Sequence, residues 1–299
     1  MSCGVAPSTT NEGAPPLCSF SSNPTHLGKY EVLSHLAQGG MADLFLGRAN
    51  GPLGFSRLVV IKRLLPQMAN NELHVTMFLD EARLAAQIHH SNVVQIFDLG
   101  SSEGHYYMAM ELIPGPSLAA ILRHTKRAGK QVPWQVAIEI VVQACDGLHA
   151  AHELCDASGQ HLGLVHRDVS PGNLMLTANG SVKVVDFGVA KASETAFRTG
   201  EEGLLIGKYP YMSPEHFRGA ALDRRADIFA LGIVLHELLS GRQIFKRKTS
   251  NEIFEAICND PIPDPRETRP DAPAELTPVI LRALERDRTR RFPTAEALA

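Results

Sequence analysis

The chain has 299 residues, 44% of them hydrophobic and 20% charged, with 29 basic against 32 acidic side chains and a formal net charge of -3. That composition describes an ordinary globular protein with material for a large core or two lobes. It gives no electrostatic reason to expect nucleic acid or a membrane surface as a partner.

Residues up to Leu27 are rich in Ser, Thr, Pro, Gly and Asn and poor in large apolar side chains. Such a segment cannot bury enough surface to offset its ordering entropy, so residues 1–27 are expected to be a disordered tail. Met1 to Phe20 has neither the basic start nor the apolar core of a signal peptide. No apolar run approaches the ~18 residues that span a bilayer. Cys3, Cys18, Cys145, Cys155 and Cys258 are odd in number, scattered and without C-x-x-C spacing. They read as free thiols in a reducing compartment, and the expected location is the cytoplasm.

Structure is expected to begin near Tyr30, where Tyr30 to Leu36 alternates roughly as a strand does. The small-residue turn Ala37-Gln38-Gly39-Gly40-Met41-Ala42-Asp43-Leu44 follows and runs into β-prone Leu44-Phe45-Leu46, which favours a hairpin over a helix start. Glycine there lets backbone N–H groups approach phosphate oxygens with no Cβ in the way. Leu58 to Lys62 reads as a buried strand, and a period of two puts Val60 and Lys62 on one face. A helix is expected from about Val75 to Ile88, with Met77, Glu81, Leu84, Ala85 and Ile88 forming one stripe. Glu81 therefore points inward and needs a buried partner, for which Lys62 is the natural candidate. Asn92–Asp98 and His105–Glu111 read as two further strands, giving a five-stranded antiparallel sheet.

Leu112-Ile113-Pro114-Gly115-Pro116 breaks regular structure and marks the connection between two lobes. Beyond it the pattern is helical. Ser117 is a plausible N-cap, Pro133-Trp134 opens a long apolar helix running to about Leu154, and Asp156 to Gly163 reads as a surface hairpin. Then come Leu164-Val165-His166-Arg167-Asp168-Val169-Ser170-Pro171-Gly172-Asn173 and, a short loop later, Val184-Val185-Asp186-Phe187-Gly188. Apolar runs read as short strands bracket a polar loop that carries an Asp and an Asn five positions apart. A second carboxylate lies just downstream. One general base and two oxygen ligands for a hard cation are what phosphoryl transfer from a nucleotide requires.

The ordered set of glycine turn, Lys62, Glu81, His166-Arg167-Asp168 with Asn173, Asp186-Phe187-Gly188 and Ser213-Pro214-Glu215 resembles the bacterial eukaryotic-like (Hanks-type) serine/threonine protein kinases. The likeness covers the chain from about Tyr30 onward. It implies an α+β, bilobal kinase fold over residues 28–299, divided into a small lobe at 28–112 and a large lobe at 113–299. Asp227 to Gly232 is similar to the buried helix that anchors the catalytic loop, with Phe229 where Trp is usual, and Arg291 is placed to pair with Glu215. The resemblance further implies an enzyme of signal transduction, dependent on ATP and Mg²⁺ (with Mn²⁺ as a substitute), acting on Ser/Thr hydroxyls of protein substrates and autophosphorylating, with dimerisation as one route to that. By the same resemblance Lys62 holds phosphates, Asp168 receives or orients the substrate hydroxyl proton, and Asn173 and Asp186 bind the metal. Leu36 to Leu44 would cover the nucleotide; Leu44, Val60 and Met175 would sandwich the adenine, Met110 would guard the back of its pocket, and Glu111 to Ile113 would supply backbone hydrogen bonds. The alternative is a weakly active or inactive nucleotide-binding scaffold.

Two departures from the family pattern stand out. Ser170 occupies the position where these enzymes carry Lys, and Gly207 is followed by Lys208 where they carry Thr. In the family fold those two positions approach the same Asp, so Lys208 is expected to supply the charge and Ser170 the hydroxyl. Arg167 implies an activation segment ordered by phosphate, with Ser193, Thr195 and Thr199 as acceptors. Glu201 and Glu202 stand near the position where relatives place a phosphothreonine.

Overall fold

The computed structural model describes residues 24–187 and 209–299. The first lobe is a six-stranded antiparallel sheet: β1 (His26–Leu27), β2 (Tyr30–Gln38), β3 (Ala42–Asn50), β4 (Ser56–Leu64), β5 (Ile96–Ser102) and β6 (His105–Glu111). Their spatial order is β1-β2-β3-β4-β6-β5. The expected five strands thus gain a sixth, because His26 and Leu27 pair with Glu31 and Tyr30. Leu27 is buried with Tyr30, Phe45, Val59, Ile61, Tyr107 and Ala109. The expected tail boundary at Leu27 is therefore too late: these two residues belong to the sheet.

Pleat parity divides the sheet into two working faces. Asp43, Phe45, Val59, Ile61, Arg63, Tyr107 and Ala109 share the outer face through the pairs Asp43–Arg63, Phe45–Ile61 and Ile61–Ala109. Ala37, Leu44, Lys62 and Met108 form a row on the other face, with Val60 and Met110 beside them. Helix α1 (Glu72–Ala85) packs on that side, started by Asn71, whose side chain accepts from Leu73 N–H. It buries Phe78, Glu81, Ala82 and Ala85. The buried stripe runs through Phe78 where Met77 was expected, but Glu81 is on it.

The run Asn92–Asp98 is a strand only from Ile96. Its first half reaches the other lobe instead: Val94 N–H donates to Val184 O at 3.0 Å and Val184 N–H to Asn92 O at 2.8 Å. Gly147 is required beside this junction, since an added Cβ would lie 2.7 Å from Asn92 O. The large lobe then comprises α2 (Leu118–Arg127), α3 (Trp134–His152), the pair β7 (Leu174–Leu176) and β8 (Val182–Val184), α4 (Arg225–Ser240), α5 (Ser250–Asn259) and α6 (Leu276–Ala283). Ser117 caps α2 through Ala120 N–H. Cys155 and His161 bridge across the expected surface hairpin. Leu164 and Val165 are buried but form no strand. The N–H groups of the next two residues, His166 and Arg167, go to a carboxylate rather than to a neighbouring strand. Among the described residues no helix is long and apolar enough to cross a membrane.

Helix α4 is apolar nearly all round and buried from Ala226 to Ser240, as a central helix must be. Gly241, at φ 69°, ends it in the left-handed conformation. Its second turn carries Phe229, over whose ring the Arg291 guanidinium sits 4.8 Å from the centroid. Arg291 is 2% exposed and forms a bidentate pair with Glu215 at 2.5 and 2.8 Å. Burial alone would raise the Glu215 carboxyl, but the Arg291 hydrogen bond and charge hold it below its ordinary value. Removing one partner of such a pair leaves an uncompensated buried charge. Arg291→Met is expected to cost about 3–5 kcal/mol in denaturant unfolding near neutral pH. Because the Glu215 pKa is depressed on folding, the pair's contribution is present above the ordinary value of 4.5 and is lost as pH falls below it. The deficit of the variant should shrink there.

Candidate active site

The floor of the cleft is built on Asp227, in the first turn of α4 and 1% exposed. Its Oδ2 accepts from His166 N–H at 2.8 Å and meets His152 Nε2 at 2.8 Å, while Oδ1 accepts from Arg167 N–H at 2.9 Å. Burial would raise this carboxyl, but the hydrogen bond and charge of His152 and the contacts to His166 pull it below its ordinary value. Held this way, the loop turns sharply enough to put Arg167 at φ 64°. Asp186, on the adjoining loop after β8, has φ 56°. Non-glycine residues in the left-handed region are strained, and two of them facing one cleft mark a site whose geometry the fold enforces.

His166 is fully buried and locks the two loops together. Asp168 N–H can only donate, so His166 Nδ1 accepts from it at 3.2 Å; Val185 O can only accept, so Nε2–H donates to it at 3.1 Å. The ring also packs on Phe187, 4.6 Å between centroids. The turn Pro171–Asn173 then brings Asn173 Nδ2 to Asp168 O at 2.8 Å and to Asp168 Oδ2 at 3.0 Å. With its nitrogen committed, Asn173 keeps Oδ1 as an oxygen donor. Ser170 is buried at the head of the turn, where it is the N-cap of Pro171–Asn173 without a side-chain cap bond.

From the roof, Lys62 Nζ reaches Glu81 Oε1 at 2.8 Å and Asp186 Oδ1 at 3.1 Å. Burial opposes the ammonium charge, but Asp186 and then Glu81 outweigh it, so the Lys62 pKa lies above its ordinary value. Lysine is therefore a fixed positive charge in the cleft. Met110 is buried behind it, and Val60 and Met175 pack partly buried against the main core. Leu44 is level with Lys62 on the same face. The turn from Gly39 to Ala42 is the tip of the β2–β3 hairpin, with Gly39 N–H donating to Ala42 O at 2.8 Å and Met41 O accepting from Leu65 N–H at 2.9 Å. Gln38 ends the strand before that tip and Gly40 lies within it. Leu36 lies at a register shift between His35 and Ala37 and is 49% exposed.

Asp43 is a correction. It is on the outer face of the sheet, 5% exposed, with Oδ2 held by Arg63 at 2.7 Å. A nucleotide lying against Lys62 would be on the opposite side, so Asp43 leaves the set of nucleotide-contacting side chains. The side chain of Glu111 is engaged elsewhere: its carboxylate accepts from Lys183 Nζ at 2.8 Å and from Gln95 N–H at 3.2 Å. Only backbone groups of Glu111 and Ile113 remain for an adenine edge. An added Cβ at Gly115 would collide with the Leu176 carbonyl, so the inter-lobe connection packs against β7 only as glycine. Lys183, His152 and the Lys62–Asp186 contact were not anticipated; their only sequence signal is a charged or polar residue inside an apolar element. Gly188, Ser193, Thr195, Thr199, Glu201, Glu202, Gly207 and Lys208 lie outside the described residues.

A cation between two carboxylates above an Asp–Asn pair, in a cleft between a small sheet lobe and a helical lobe, defines a phosphoryl-transfer architecture. The family model of the protein kinase domain matches residues 30–299. The chain belongs to the protein kinase family. It is 47% identical over 272 residues to the tyrosine-protein kinase MasK of Myxococcus xanthus, covering 91% of this chain and 42% of that protein. It is 34% identical over 279 residues to the serine/threonine-protein kinase PknB of Mycobacterium tuberculosis, again 91% and 42%. The chain thus spans less than half the length of the curated relatives it matches. The crystal structure of the Mycobacterium tuberculosis PknI kinase domain superposes with a TM-score of 0.67 at 26% identity, over 91% of this chain and 94% of that one.

The His166 ring offers a direct check on this geometry. Burial lowers its pKa, with the Asp227 and Asp168 charges opposing. Protonation would set a donor at Nδ1 against the Asp168 N–H. Nitrogen NMR of the ring at pH 6.5, the ordinary midpoint of a histidine, should therefore find the neutral Nε2–H form. A half-protonated ring would contradict the assignment. The stabilising contribution of His166 is correspondingly present above 6.5 and is lost as the pH falls below it.

Proposed function

We propose that this chain is a catalytic protein kinase domain that moves the γ-phosphoryl group of ATP to a hydroxyl of a protein substrate. The observation that carries this reading is Lys62 Nζ bridging Glu81 and Asp186 at 2.8 and 3.1 Å, with His166 joining the backbone beside Asp186 to the Asp168–Asn173 pair. The donor set suits a hard divalent cation: Asp186 supplies a carboxylate and Asn173 an amide oxygen, leaving the remaining positions to water and phosphate. When bound, Mg²⁺ would offset charge on the phosphate oxygens.

The chain's own residues do the rest. Lys62 gives a point charge to the phosphates, kept in place by Glu81, which a strand lysine alone could not ensure. Asp168, oriented by Asn173 and by its own N–H bond to His166, takes the proton of the attacking hydroxyl as the new P–O bond forms and the bond to ADP breaks. Leu44, Val60 and Met175 exclude water around the base, and Met110 limits the depth of its pocket. Lys208 and Ser170 are proposed to divide the work usually given to a loop lysine and a threonine. We further read Ser and Thr as the acceptors, following the PknB relatives. Tyrosine is the second reading, favoured by the 47% identity to a relative named as a tyrosine kinase.

One set of assays tests these points together. Purified protein with radiolabelled ATP, Mg²⁺ and a general protein acceptor should yield label on protein, resolved by acid hydrolysis into phosphoserine and phosphothreonine. Asp168→Asn should reduce transfer at least roughly hundredfold. Lys208→Thr should be crippled, and Lys208→Thr with Ser170→Lys should recover much of the rate, a strongly non-additive cycle. Label on tyrosine alone would replace the acceptor assignment, absence of transfer would leave the scaffold reading, and a double variant no better than Lys208→Thr would end the exchange proposal.

A further inference from the structure

Beside the catalytic loop lies an open cleft of about 970 Å³ that the phosphoryl-transfer chemistry does not use. One wall is helix α2. Its lining residues Ala119, Leu122, Arg123 and Lys126 recur at i, i+3, i+4 and i+7, which places them on one face. Lys130 lines it from the loop that follows, and Arg242 and Lys246 line it from the chain after Gly241. All five cations are exposed. None of them forms an ion pair with a described residue, whereas other exposed cations of this lobe do: Arg247 pairs with Asp260, and Arg290 with Glu285.

Among the described residues one carboxylate lines the cleft, and it is hydrogen-bonded within the protein, with the Lys126 and Lys246 charges also acting on it. Glu237 is buried, and Tyr211 Oη donates to it at 2.5 Å while Gln243 Nε2 donates to Tyr211 Oη at 2.8 Å. Burial also pushes the Glu237 carboxyl up. The cleft therefore presents five exposed cations, none in an ion pair with a described residue, against one buried carboxylate, in a chain whose net charge is -3. Its position ties it to the reaction. Pro171, in the same turn as Asn173, lines the cleft, and Tyr211 lines both this cleft and the small pocket containing Asp168. A polypeptide whose hydroxyl lies at Asp168 would have its neighbouring residues in reach of these cations.

We propose that this cleft is the substrate-selecting surface of the domain, and that its occupant is an acidic segment of the protein substrate, with Asp, Glu or phosphorylated residues on one side of the acceptor hydroxyl. The inference rests on the phosphotransfer reading for its placement, but the complementarity is a property of the cleft itself. Charges of this kind set specificity and encounter more than raw affinity, and salt screens them.

The test uses peptides with one acceptor in which each flanking position is in turn Glu, Ala or Lys, together with a fluorescent acceptor-free version of each. Glu on one side of the acceptor should raise kcat/KM roughly tenfold over Ala, chiefly through KM, and the gain should fade as salt rises. Lys126→Glu with Lys246→Glu should invert the preference, so that Lys-bearing peptides bind and react better. This is a gain that a misfolded variant could not show. Equal rates for Glu and Ala peptides, a preference unchanged by charge reversal, or an acidic preference indifferent to position, as for any polyanion, would overturn the proposal. If no peptide is phosphorylated but the acceptor-free acidic peptides bind and the variant reverses that binding, the surface stands and the phosphotransfer reading falls. Transfer without any charge preference removes the surface and leaves the phosphotransfer reading standing.

Discussion

The structure depends on one buried carboxylate. Asp227 gathers the N–H groups of His166 and Arg167 and the ring of His152 onto two oxygens inside the large lobe. A carboxylate this deep is tolerable only because each oxygen is hydrogen-bonded and a histidine stands beside it. What it secures is a strained loop. Arg167 would not remain at positive φ without something holding the backbone on both sides, and the turn carries Asp168 into the cleft. Helix α4 holds Asp227 in turn, buried along its length and clamped at its first turns by Arg291, Phe229 and Glu215.

The second constraint crosses the cleft. Lys62 belongs to a strand, Glu81 to a helix and Asp186 to the loop after β8, and their meeting requires sheet, helix and large lobe to be in register. Apart from the connecting segment, the lobes are sewn together where Val94 and Asn92 bond Val184, just ahead of Asp186. His166 performs the corresponding task within the large lobe, with one ring nitrogen on each catalytic loop. A few polar contacts thus convert the position of α4 into the positions of the groups that would touch a nucleotide and a hydroxyl.

Much of this was legible in the sequence, and the reasons are local. The pleat period put Val60 and Lys62 on one face, the helical period turned Glu81 inward, and a buried carboxylate demands a cation. The failures are equally physical. Asp43 looked like part of a phosphate-covering turn, but pleat parity past the hairpin tip sends it to the outer face and Arg63. Leu164 and Val165 looked like a strand because an apolar pair reads the same whether the backbone that follows it bonds a strand or a buried aspartate. His26 and Leu27 are too short a strand to stand out beside a polar tail. The basic cleft is assembled from residues far apart in the chain, so no window of sequence could reveal that its charges converge.

The most direct measurement is the kinetics of Asp227→Asn, which keeps the shape of the side chain while weakening its hold on two N–H groups and His152. If Asp227 positions the catalytic loop, kcat should fall roughly hundredfold, the scale of a misplacement near 1 Å, while nucleotide affinity, which the proposed function assigns to Lys62 and the sheet lobe, should stay within about twofold of wild type. An unchanged kcat, or a parallel loss of nucleotide affinity, would contradict the central place given to this carboxylate.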